Sequence, residues 1–147
     1  MAKSSLIFTK KKALTWIFLI AAVLIILILL RNCTQSKNDL STIEGRTAFL
    51  RQLGWEIDPA TEEHKGVRVP ETLDDTLVEY NELQLKQGFD LNEHLGEHCE
   101  QYNYQITNYP DTDQIVLVTL YIQENELIAG DIHSTSLKGF MHGLTNE

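Results

Sequence analysis

The chain has 147 residues, a formal net charge of −9, 43% hydrophobic residues and two cysteines. Residues 1–37 hold six Lys/Arg and no Asp/Glu, which leaves six basic against 21 acidic residues, or −15, in residues 38–147. So acidic a domain excludes nucleic acid as a partner, because phosphate binding needs clustered Lys and Arg, and two cysteines exclude a disulfide framework.

From Ala13 to Leu30 there are 18 residues without charge. As a helix they span ~27 Å, close to the hydrocarbon thickness of a bilayer, and a helix satisfies its own backbone groups there. A cleaved signal has a shorter apolar run and a small-x-small site; Thr34 and Ser36 match that only weakly. A lipoprotein signal ending on Cys33 needs a small residue before it, where Asn32 stands. The stretch therefore reads as a retained anchor over residues 13–31, after a basic tail (1–12) and before a polar linker (32–41). Lys3, Lys10, Lys11 and Lys12 outnumber Arg31 and Lys37, which places the N-terminus in the cytoplasm and the domain at 42–147 outside it.

That domain is long enough for one core and too short for two. "STIEGRTAFLRQLGW" predicts a helix, capped by Ser41 or Thr42 and stopped at Gly54. "WEID" and "VRVP" predict short extended pieces around a polar loop, "PATEEHKG". "ETLDDTLVEYNELQLKQG" predicts a second helix with an apolar stripe at Leu73, Leu77 and Tyr80 and a stop at Gly88. The period then changes to two. In "QYNYQITN" the residues Tyr102, Tyr104 and Ile106 share one face, and Gln101, Asn103 and Gln105 share the other. "IVLVTLYI" reads as a central strand covered on both faces, and "LIAGDIHSTS" as a third strand. "LKGFMHGL" has Leu137, Phe140, Met141 and Leu144 at helical spacing, weakened by two glycines. The expected fold is α+β: an antiparallel three-strand meander packed by two helices, behind an N-terminal transmembrane helix.

"AFLRQLGWEIDP", "YNELQLKQGFDL", "NYPD" and "GDIHSTSLKGFMHGL" together resemble an uncharacterised family, domain of unknown function 4830, from about Gly45 to Leu144. The resemblance implies a membrane-anchored surface protein of Firmicutes such as the clostridia. It implies no activity and no catalytic residues.

Several residue sets invite chemistry. His94 and His98 have the i, i+4 spacing of paired metal ligands on a helix, with Glu93, Glu97 and Cys99 nearby, but Gly96 between them reads as a break. Asp131, His133 and Ser134 suggest a Ser-His-Asp site; on a strand Asp131 and His133 share a face while Ser134 points away, so an Asp–His contact is the expectation. Asp111 and Asp113 begin like a calcium loop, but Val116 stands where the central Gly is required and Ile122 where the closing Glu is. Tyr102, Tyr104 and Tyr109 could stack on a sugar or peptide, although alternating aromatics equally form a core face. Gly139 and Gly143 read as requirements of backbone shape.

No cofactor is expected. The reading favours a binding or interaction module held at the membrane, with an envelope or membrane protein as partner. The rivals are an envelope hydrolase, using His133 with Asp131 or a metal on His94 and His98, and a sensor of ligands outside the cell.

Overall fold

The computed structural model describes residues 38–145. The expected anchor at 13–31 and Cys33 lie outside them. No helix among the described residues is long and apolar enough to cross a membrane.

Helix α1 (Ile43–Gln52) begins where Thr42 Oγ1 accepts the Gly45 amide, and it closes with Gly54 at φ 93°. The segment before it belongs to the fold: Leu40 is buried, and the Asp39 carbonyl accepts from both the Thr42 amide and its hydroxyl. Strand β1 (Ile57–Arg68) leads into helix α2 (Asp75–Lys86) and a short 3-10 turn (Leu91–His94). Strands β2 (His98–Ile106), β3 (Val116–Gln123), β4 (Glu126–Ser134) and β5 (Met141–His142) follow. All five strands are antiparallel and lie in chain order, so the sheet is a simple meander with β3 at its centre.

The α+β class and the two helices match expectation, but the sheet has five strands instead of three. The "PATEEHKG" loop is part of one continuous strand, β1, broken in register only between Asp58 and Glu63. There Thr61 Oγ1 donates to the Asp58 carbonyl and accepts the Gln105 amide, so a hydroxyl stands in for a ladder carbonyl. Pro59 and the charges are tolerated because β1 is an edge strand. The tail is no helix either. Met141 and His142 pair with His133 and Ile132 as β5, and the expected spacing of Leu137, Phe140 and Met141 has no helical counterpart.

The main core lies between α1 and one sheet face. Leu50, Tyr104, Val118, Leu120 and Ile132 are fully buried there. Burying each such side chain contributes about 1.5–3 kcal/mol. A smaller cluster, Val69, Cys99 and Ile128 with Val67 and Tyr121, occupies part of the other face.

Candidate functional site

Helix α2 covers that second face in an unusual way. Its buried residues are Asn81 and Gln84, both polar. Gln84 Oε1 accepts the Gly130 amide, Gln87 Nε2 donates to the Gly130 carbonyl, and Gln87 Oε1 accepts the Leu144 amide. These side-chain amides satisfy β4 at a position where β5 is too short to reach. Asn81 bonds Asp90 and the Leu91 amide in the same manner. The C-terminal half of α2 is thus fastened by directional hydrogen bonds.

The rest of the helix stands clear of the sheet and leaves a cleft of about 790 Å³. Its walls are Leu73, Leu77 and Leu83 on one side and Val67, Val69 and Ile128 on the other. The predicted stripe of Leu73, Leu77 and Tyr80 therefore faces a cavity and does not pack into a dry core. The reason is the floor. Asn103, Thr119 and Asp131 stand side by side on β2, β3 and β4 in register, and Gln101 adjoins them. A polar floor under an apolar roof does not close into a core.

At the β4 end of this row is Asp131, 3% exposed. Tyr80 donates its hydroxyl to Oδ2 at 2.8 Å, and His133 Nδ1 lies 2.8 Å from Oδ1. Because a carboxylate only accepts, Nδ1 carries the proton and Nε2 of this cleft-lining ring is left as an acceptor. The bond to Asp131 raises the His133 pKa above 6.5, against the opposing effect of burial. Burial, then the charge of Asp131, pushes Tyr80 far up, so it stays a hydroxyl donor. Burial and the same charge push Tyr121 up to about 12. Cys99 also lines the cleft; burial, then Glu100, raises its thiol pKa, which keeps it protonated and weakly nucleophilic.

The structure brings Asp131 and His133 together and leaves Ser134 apart. Ser134 pairs in register with Val116, on the α1 side of the sheet, and its buried Oγ has no partner among the described residues. His94 ends the 3-10 turn, where Nδ1 meets Glu97 and Gln123; Gly96, at φ 75°, then breaks the path to His98, which is exposed at the start of β2. The described residues hold no group of three His, Cys, Asp or Glu able to share a metal ion. Asp111, at φ 53°, and Asp113 are exposed in the β2–β3 turn region.

Tyr102 and Tyr104 belong to the α1 core, 9% and 0% exposed. Tyr104 bonds Arg46 and Glu62, and the Arg46 guanidinium lies 3.7 Å above the Tyr102 ring centre. Tyr109 stacks between Trp55 and Phe140 and donates to His142 Nε2, away from the cleft. Gly139 fits where a Cβ would come within 1.9 Å of Ser134 Oγ, and one at Gly143 would press on Gln87. Tyr80, Thr119, Tyr121 and the amides of Gln101 and Asn103 also line the cleft, and no sequence motif marks them as a site. The signal for them was the mismatch between the apolar stripe of α2 and the polar alternate face of β2.

Residues 49–132, from α1 through β4, match the family described as Domain of unknown function (DUF4830). The chain belongs to that family. No curated protein and no solved structure matches it. The matched region of the DUF4830 domain contains all of α2 and most of the cleft floor; His133 and β5 follow it.

Proposed function

We propose that this chain is a single-pass, membrane-anchored protein whose DUF4830 domain lies outside the cytoplasm and binds a small ligand in the cleft under α2. The uncharged run from Ala13 to Leu30 and the basic residues before it support the anchor and its orientation. One observation carries the binding reading: the apolar stripe of α2 faces an open cleft of about 790 Å³ with convergent polar groups on its floor. Small-molecule sites have this volume and this mix of apolar wall and few polar contacts. An envelope or membrane protein partner would read the occupied state, which makes ligand sensing a natural use of the module.

The test is a thermal-shift screen of the full chain beside Leu77→Trp, which fills the cleft. Ligands that raise the wild-type melting temperature should leave the variant unmoved. Equal shifts in both proteins would place binding elsewhere. Crosslinking in intact cells tests the partner: one protein recovered in near-stoichiometric yield, lost when residues 42–147 are deleted, is the expected result.

A second reading has its own observation. The Asp131–His133 hydrogen bond orients an imidazole as a general base would be oriented, so a hydrolase is the rival. Turnover abolished in a folded His133→Ala variant would establish it; no turnover of ester, amide or glycoside substrates by the wild type would remove it.

A further inference from the structure

Resting on the cleft as the binding site, the chemistry of its floor narrows the ligand. Asp131 is 3% exposed and touches only Tyr80 and His133 by side-chain hydrogen bond or ion pair; no Lys or Arg among the described residues neutralises it. A carboxylate accepts up to about four hydrogen bonds, so capacity remains. His133 Nδ1 is committed to Asp131, and in the neutral ring Nε2 is a lone pair without a partner among the described residues. Thr119, also 3% exposed, lines the cleft with a hydroxyl that makes no hydrogen bond among the described residues. The Tyr80 and Tyr121 rings meet edge-to-face at 6.3 Å beside these groups. Acceptors and aromatic rings around a buried carboxylate that no Lys or Arg among the described residues neutralises favour a cation.

We propose that the ligand is an organic ammonium ion with an apolar body, its N–H groups meeting Asp131 and His133 Nε2 and its apolar part lying against Leu73, Leu77 and Leu83. The −15 balance of residues 38–147 draws such an ion in. An anion would instead meet Asp131 and Glu79. Among the described residues the one guanidinium at the cleft, Arg68, is occupied by the Gly96 carbonyl and by Glu71 at 3.5 Å.

The ionisable groups lining the cleft around His133 are Arg68 from β1, Glu79 and Tyr80 from α2, Cys99 from β2, Tyr121 from β3 and Asp131 from β4. The bond to Asp131 raises the His133 pKa, and protonation of that ring is what changes the charge facing the ligand. An imidazolium repels an ammonium and lacks the Nε2 lone pair. Binding of the ion therefore strengthens as pH rises through the His133 pKa, whereas binding of an anion weakens.

The experiment is calorimetric titration of the full chain with phenethylamine, phenethyl alcohol and phenylacetate, at about pH 5.5 and about pH 8. Phenethylamine should bind most tightly, more so at the higher pH. Asp131→Asn should weaken it by roughly thirtyfold. The pH comparison needs no variant, so a poorly folded Asp131→Asn protein leaves the test intact. If phenylacetate binds best, or amine binding weakens with rising pH, the ammonium proposal is overturned while the cleft stands as the site. If none of the three binds, or binding persists unchanged in Leu77→Trp, the cleft reading falls with it.

Discussion

Two of the charged clusters among the described residues differ in purpose, and single residues expose the difference. Arg46 is 3% exposed and bonds Tyr104, Glu62 and the Leu40 carbonyl, so it ties the chain before α1 to the sheet. Burial works against its charge, but the bonds to Tyr104 and Glu62 raise its pKa overall. Arg46→Ala should destabilise the fold by ~3 kcal/mol in chemical denaturation, because it takes the cationic partner from Glu62 and the side-chain donor from the Leu40 carbonyl. The Asp131–His133 pair stands instead at an open cleft, where substitution should alter binding more than folding. The His133 pKa is raised in the folded protein, chiefly by the bond to Asp131. Its stabilising contribution is then complete below about pH 6.5 and lost as pH rises through the folded value. The stability gap between wild type and His133→Gln should narrow between about pH 5.5 and about pH 8.5 in urea titrations. A gap that widens would mean that the imidazole is held neutral.

Among the elements, the helices were the most legible in sequence because their ends are chemically marked. Thr42 and Asp74 cap them, and Gly54 and Gly88 take positive φ at their close. The central strand β3 was legible from its unbroken apolar run. Strand β1 was not, since Pro59, Gly66 and its charged neighbours imitate a loop; an edge strand needs neither an apolar face nor a full ladder. The tail misled because residues at helical spacing also serve as separate contacts: Phe140 stacks on Tyr109, and Leu144 fills the core. The Asp131–His133 contact followed from strand alternation, but the cleft did not. Nothing in the sequence marks Gln84 and Gln87 as surrogates for a missing strand. Gln84→Leu should cost about 1–3 kcal/mol, by stranding the Gly130 amide, and the loss should appear as reduced thermal stability. Gly45→Ala should be worse tolerated than any other alanine in α1, because its Cβ would meet the Asp39 carbonyl oxygen at 1.8 Å. Failure to accumulate as folded protein is the expected result.

At the scale of the molecule, the sheet separates two tasks. The face toward α1 holds the large apolar cluster, and the face toward α2 holds a polar row under a cleft. Composition alone forecast the acidic character but could not divide it between the faces. Buried beside the cleft, Cys99 reports on the state of that second face. Its thiol should resist iodoacetamide at neutral pH in the folded chain and react once urea opens the domain, as mass spectrometry would show.

The glutamine fastening of α2 also sets how the helix lets go. Hydrophobic contacts weaken steeply with denaturant, in proportion to the surface they uncover. The amide-to-backbone bonds of Gln84 and Gln87 uncover little, and the stripe of Leu73, Leu77 and Tyr80 already faces the cleft. Amide protons of α2 should therefore exchange through a local opening whose free energy barely responds to low urea, while those of β3 exchange only with global unfolding. The helix would then act as a gate on a latch, released by breaking a few polar bonds while the rest of the domain stays shut.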